Sequence, residues 1–378
     1  MAISFELTDE QKQMQETARK FAVDRIRGKG DKEYVYRECE MHKAIPDKIR
    51  KDYVENGFPL VDFPEDLGGL AQGTVTRAIV EEEIAWGDAG MALGLDGPGL
   101  GAQVILELGS AAQKKTYLGN AGDPSCRIAL AISEKALDDD TFGNMATTVK
   151  GDVISGEKRW VYGARDAKLF VVIAKTGSAP DASDLRAFVV EAGAAGLAVG
   201  APVEKCGLRT IECCNVKLEN VKGVALEGTD IQKALTRLRI LIAARLVGVS
   251  TASADYAAKY AQERPAFGKM IGQFQSVAFM VADAFTETNS ARWLVWKAAA
   301  LFDKGLDARL AALQALAHAA DVSVRVANDC VQVLGGAGFI EDYPAEKWLR
   351  DSRQLGVLLG SIGLNDAAAA DIIVPVKN

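Results

Sequence analysis

The chain has 378 residues, 49% of them hydrophobic and 25% charged, with a net charge of −7. That length exceeds one small core and points to two or three domains. The acidic balance argues against nucleic acid as the main partner. The N-terminal MAISFELTDEQ lacks a signal-peptide pattern, and no run of about 18 apolar residues is present, so no membrane span and a cytoplasmic location are expected. Six scattered cysteines, with Cys213 and Cys214 adjacent, predict reduced thiols rather than a disulfide framework. Two histidines, His42 and His318, leave little room for a histidine metal cluster or a Ser-His-Asp triad.

In chain order, Thr8-Asp9-Glu10-Gln11 reads as a capping box opening a helix with apolar Met14, Ala18 and Phe21. A loop through Gly57-Phe58 and Phe63-Pro64-Glu65-Asp66-Leu67-Gly68-Gly69 precedes a helix through Ile79, Glu83 and Trp86. A further apolar helix is predicted over roughly Met91 to Leu108, with Asp96 near its start. Residues 1–125 therefore read as a helical domain. Strand-like runs follow: Arg127 to Ile132, Ala146 to Lys150, Leu169 to Ala174, Arg186 to Val190 and Asn215 to Leu218. Turn residues such as Lys150-Gly151-Asp152 and Thr176-Gly177-Ser178 separate them, which predicts a small β-domain over 126–230. From 231 to 378 the pattern is helical again. Val277, Met280, Ala284, Thr288, Ala291 and Val295 recur at three and four, as do Leu306, Leu310, Leu313 and Leu316. With helices over about 233–264 and after Tyr343, this predicts a four-helix bundle.

The densest signal is Val331 to Ser361. Gly335-Gly336-Ala337-Gly338 is too glycine-rich for a helix interior, where each Gly costs roughly 1 kcal/mol, and marks a turn where backbone comes close to something. Tyr343-Pro344 restarts a helix that ends after Arg350-Asp351. Taken alone, the glycines describe a helix hairpin.

GGAGF followed by P-x-E-K-x-x-R-D resembles the C-terminal signature of the acyl-CoA dehydrogenase family. Glu263-Arg264-Pro265-Ala266-Phe267-Gly268-Lys269 with Gln275 is similar to that family's E-R-x-x-F-G-x-x-I-x-x-x-Q motif. The resemblance covers the whole chain and implies a mainly α fold: a helical N-domain, a central β-domain and a C-terminal four-helix bundle. It implies non-covalent FAD, an acyl-CoA thioester substrate, an electron-transferring flavoprotein as partner, and a homotetramer. Trp160 matches the family tryptophan that stacks on the flavin; otherwise it is a core aromatic on a strand. Ile132-Ser133-Glu134 matches the family segment ending in T-E, whose hydroxyl and backbone contact the ring. Tyr162 stands where the family carries a hydroxyl residue, often Thr. Arg264 resembles the arginine that reaches the FAD pyrophosphate of a neighbouring subunit; otherwise it is a surface residue at a helix end. Phe267, Gln275, Gln332, Gly335 and Gly336 match the adenine and ribitol side of that shared site, and Ser361 follows the family's base position.

Two departures matter. The family continues T-E-P-G-A-G-S-D, whereas this chain reads Ser133-Glu134-Lys135-Ala136-Leu137-Asp138-Asp139-Asp140, so CoA contacts there do not transfer. The family glutamate that removes the α-proton is replaced by Leu359. In members that carry the base before the first bundle helix's arginine, which Arg239 resembles, the position corresponds to Leu238. The resemblance leaves Arg239 and Leu359 as substrate-facing residues and Asp96 as the candidate for a relocated base. An acid there suits an alicyclic or already unsaturated acyl group of the cyclohexane- or cyclohexene-carboxyl-CoA kind. Asp96 reads equally as a helix N-cap ahead of Gly97-Pro98. Two other functions fit: an enoyl-CoA reductase, since Glu204 to Arg209 with Cys213-Cys214 resembles crotonobetainyl-CoA reductases, and a non-catalytic subunit.

Overall fold

A computed structural model describes residues 6–28, 34–134, 144–179 and 182–374. The N-terminal region is helical: α1 (Asp9–Phe21), α2 (Val35–His42), α3 (Asp47–Glu55), α4 (Gly73–Gly87), α5 (Ala89–Leu95), α6 (Leu100–Leu108) and α7 (Ala111–Leu118). The α1 capping box is formed, with the Thr8 hydroxyl accepting from the Gln11 amide at 3.2 Å and the Gln11 side chain accepting from the Thr8 amide at 3.0 Å. The helix expected over Met91 to Leu108 is two helices. Asp96 closes α5 and Gly99 precedes α6, with Gly97-Pro98 between them. Proline removes a backbone donor and restricts the residue before it, which stops the helix there.

The central region is a sheet of β1 (Ile128–Ala131), β2 (Thr148–Lys150), β3 (Val153–Tyr162), β4 (Leu169–Lys175), β5 (Leu185–Glu191), β6 (Leu197–Pro202), β7 (Cys213–Lys222) and β8 (Val224–Ala225). Its order is β6-β7-β3-β2-β4-β5-β8, and β1 adds in parallel along β4, pairing Ile128 with Leu169 and Ala131 with Val172. Strands β3, β6 and β8 have no counterpart among the expected strand runs: Gly and charged residues interrupt β3, Gly and Pro mark β6, and β8 is only two residues long. All six cysteines are free, and Cys213 and Cys214 are both buried in β7.

The C-terminal region holds α8 (Ile231–Glu263), a hairpin of β9 (Pro265–Ala266) and β10 (Lys269–Met270), then α9 (Gln275–Asp303), α10 (Arg309–Leu334), α11 (Ala345–Leu355) and α12 (Ile362–Ile373). Leu306, expected to begin the α10 stripe, lies in the preceding loop and is exposed. Helix α8 is long and apolar enough to cross a membrane, yet 83% of its most apolar window is buried inside the protein. It is the central core helix, and it carries Arg237, Arg239 and Arg245 into the interior. Those arginines need partners there, and α4, α6 and the turn after α5 supply several of them.

Candidate active site

Between α5, the start of α6, strand β1, the end of β3 and the turn after α11 lies a narrow cavity of about 60 Å³. Asp96, Ile132, Ser133, Trp160, Tyr162 and Leu359 all line it, together with Leu358, Arg127 and Arg159. Six of the residues singled out in the sequence, more than two hundred positions apart at the extremes, thus meet at one place.

Trp160 is held there by a break in strand pairing. The β3–β7 register slips between Lys158 and Val161, and Trp160 adopts a positive φ of 54°. A left-handed conformation is rare for a bulky residue, and bulges of this kind re-aim a side chain. Lys158 and Val161 are buried on either side, while the Trp160 ring is 50% exposed. It is therefore not a core aromatic. The Arg159 amide donates to the Ser133 carbonyl at 2.8 Å, which ties the bulge to the end of β1. Beneath this, Lys158 donates to the Ile132 carbonyl at 3.2 Å and to the Glu134 carboxylate at 2.7 Å. Glu134 also accepts from the amides of Ala146 and Thr147, at 2.6 and 3.0 Å. Burial pushes the Lys158 amine down to about 8, against the pull of Glu134. The altered run after Glu134, 135–143, lies outside the described residues. Tyr162 accepts a 2.9 Å hydrogen bond from Gln354 of α11.

Both family seats for the base are apolar and closed: Leu359 is 4% exposed and Leu238 is fully buried. Asp96 is also buried, but its surroundings are ionic. One carboxylate oxygen accepts from Arg77 of α4 at 2.5 Å and the other from Arg245 of α8 at 2.6 Å. Both guanidinium groups also pair with Glu81, at 2.6 Å each. Burial alone would raise the Asp96 carboxyl, but Arg245 and then Arg77 hold it below its usual range. Asp96 is not a helix N-cap: it follows the last residue of α5, and its side chain goes to the arginines. Arg239, on the same helix as Arg245, is among the largest fully buried side chains.

The remaining sequence-predicted residues do not line this cavity. Arg264 ends α8 and is exposed. Phe267 and Gly268 form the hairpin tip with φ of 51° and 81°, the paired positive values that suit a tight two-residue turn. Phe267 is 96% exposed, with one edge contact to Phe274 at 6.3 Å between ring centres. Gln275 opens α9, and Gln332, Gly335 and Gly336 close α10; all are exposed. A Cβ added at Gly335 or Gly336 would meet nothing within 4 Å, whereas at Gly338 it would lie 2.3 Å from the Val331 carbonyl oxygen. Gly338 is thus required by the chain's own packing and Gly335 by its positive φ of 60°, while Gly336 is required by neither. Ser361 caps α12, its hydroxyl accepting from the Leu364 amide at 3.2 Å.

The Arg350-Asp351 pair is structural. Arg350 binds Glu346 at 2.6 Å and Glu40 at 3.0 Å, and Asp351 accepts from the Leu208 amide at 2.6 Å. The segment 204–209 is thereby locked onto α11.

Three family models match the chain in succession: acyl-CoA dehydrogenase N-terminal domain over 8–122, middle domain over 129–221 and C-terminal domain over 228–369. The chain belongs to the acyl-CoA dehydrogenase family. It is therefore an oxidoreductase of the acyl-CoA dehydrogenase type and a flavoenzyme by family. A curated 3-(aryl)acrylate reductase of Clostridium sporogenes is 30% identical, with 94% of this chain and 96% of that protein covered. A cyclohex-1-ene-1-carbonyl-CoA dehydrogenase of Geobacter metallireducens is 32% identical, with 94% and 95% covered. A solved glutaryl-coenzyme A dehydrogenase in complex with glutaryl-CoA superposes with a TM-score of 0.89 at 29% identity, covering 99% of this chain and 98% of that one.

Proposed function

We propose that this chain is an FAD-dependent dehydrogenase of an unusual, alicyclic or already unsaturated acyl-CoA, with Asp96 as the proton acceptor. The observation that carries this reading is the shared cavity, where the bulged Trp160, Ser133 and Asp96 converge while both ordinary base positions are leucine. The residues fit a flavin: a half-exposed tryptophan on a strained bulge, a serine at a strand end, and two exposed glycines with open space above them. When bound, FAD accepts the hydride. Trp160, Ile132, Ser133 and Tyr162 would hold its ring. Arg264, Phe267, Gln275, Gln332, Gly335 and Gly336 would serve the FAD of a second copy, which calls for a homo-oligomer, and we propose a homotetramer. Asp96, kept ionised by Arg245 and Arg77, is the carboxylate available on the cavity wall. Leu358 and Leu359 would give the substrate an apolar wall. Electrons would leave to an electron-transferring flavoprotein. In the deciding experiment the purified protein is yellow and bleaches anaerobically with cyclohexenecarboxyl-CoA. A colourless protein that takes up no FAD on reconstitution would defeat the reading.

One observation favours a second reading, reduction of an enoyl-CoA. Both Asp96 oxygens are already engaged by arginine, which makes it a weak base. Flavin reoxidation by an arylacrylyl- or enoyl-CoA, without bleaching by any saturated thioester, would select that direction.

A further inference from the structure

Three charged side chains line the cavity: Asp96, Arg159 and Arg127. Asp96 is neutralised by Arg77 and Arg245, and Arg159 pairs with Glu157 at 3.3 Å. Arg127 differs. It is partly buried at the head of β1, and no carboxylate pairs with it among the described residues. Its guanidinium donates to the Gly94 carbonyl near the end of α5. Arg50 of α3 donates to the same oxygen at 2.8 Å. The two cations therefore share one neutral acceptor, and the cavity wall carries a cation that no carboxylate among the described residues pairs with directly. Burial, and then Arg50, lower the Arg127 guanidinium to about 10, so it remains charged at neutral pH. Asp166 and Asp96 act on it only at a distance.

We propose that Arg127 raises the electron-accepting tendency of the flavin bound in this cavity and so biases the enzyme toward dehydrogenation. The proposal rests on the reading that the cavity holds the flavin ring. Arg127 stands five positions before Ile132 along the extended run of β1, or ~16 Å of strand. Arg127 is among the residues that line the same cavity, so its charge lies within that run of the ring, on the order of 12 Å. Two-electron reduction leaves a flavin more negative. At an effective dielectric of about 20, a cation at that range favours the reduced form by roughly tenfold. Arg127 is a tuning residue here: it neither takes the proton nor receives the hydride.

The test is a dye-coupled reductive titration of FAD-loaded wild type, Arg127→Gln and Arg127→Lys. The glutamine variant is expected to show a midpoint potential lower by about 30 mV, the equivalent of tenfold for two electrons, and an affinity for sulfite about tenfold weaker. The lysine variant restores both. Arg127→Met replaces the glutamine variant if that protein does not fold. An unchanged potential and sulfite affinity in a fully FAD-loaded neutral variant overturns the proposal while leaving the flavin reading intact. So does a variant whose only defect is a raised KM for acyl-CoAs with a distal carboxylate, since Arg127 would then be a substrate anchor. Failure of wild type itself to bind FAD would sink both ideas.

Discussion

Two halves of the site solve opposite problems. Around Asp96 the chain supplies its own counter-charges: each carboxylate oxygen has its arginine, and each of those arginines has a second acid in Glu81. Around Arg264, Phe267 and Gln332 it is incomplete, with a phenylalanine 96% exposed and two glycines facing open space. The first half must be dry and fixed because a buried ion without its partner is costly. The second remains open, and under the proposed function what completes it comes from outside the protomer. Paired charge and open surface within one fold separate the groups that set the cavity's electrostatics from those to which we assign cofactor and neighbour.

Breaking the self-sufficient half gives the largest effect. Asp96→Asn removes one of the two acids shared by two buried guanidinium groups, leaving both to Glu81, and should cost about 3–5 kcal/mol, as does removal of one partner from a buried ion pair, read from the urea midpoint. Among folded molecules, flavin reduction by the substrate should slow by on the order of 10²–10⁴. Rapid reduction by the folded variant would end the relocated-base idea, and an unchanged midpoint would end the account of the ion network. The pH dependence sharpens this. The folded Asp96 carboxyl lies below its ordinary value of about 3.9, so its contribution is present above that pH and lost as pH falls through the folded value. Wild type should therefore lose stability below about pH 4 more steeply than Asp96→Asn.

Leu359→Glu restores the family base on the same wall. Burial raises a carboxyl's pKa, so α,β-dehydrogenation of simple acyl-CoAs should emerge as pH rises, by on the order of 10²–10⁴ over the parent. A pH-rate profile tests it, and a flat profile at background level would mean that the glutamate cannot reach the α-carbon.

In the open half, Arg264→Ala should weaken FAD retention by roughly 1.5–3 kcal/mol, the range for a charge-assisted hydrogen bond. Equilibrium dialysis measures it, and unchanged affinity would make Arg264 a surface residue only. The smallest effect on the fold is Phe267→Ala. The ring touches little in its own protomer, so the stability of the isolated protomer should stay within about 0.5 kcal/mol, while sedimentation shows a smaller assembly. A protomer that unfolds, or an assembly that keeps its size, would contradict the division drawn here.

The sequence revealed those features that repeat or follow a motif. Three- and four-residue spacing located α9 and α10, and the family resemblance around Lys158-Arg159-Trp160 singled out Trp160. It did not reveal features that depend on distant partners. Asp96 read equally as a relocated base and as a cap ahead of Gly97-Pro98, but its partners lie 19 and 149 positions away, and no local pattern connects them. Arg127 was visible only as a charge opening the apolar run Arg127 to Ile132. That charge was the available signal, since a basic residue at the head of a buried strand needs an explanation.

The arginines around Asp96 also bear on how the molecule comes apart. Arg77 belongs to the N-terminal helices and Arg245 to the central C-terminal helix, and both close on the same two acids. Neither helical layer can swing away without leaving an unpaired charge in a dry interior. Heating should therefore melt the two layers in a single calorimetric transition whose van 't Hoff and calorimetric enthalpies agree, although they lie at opposite ends of the chain.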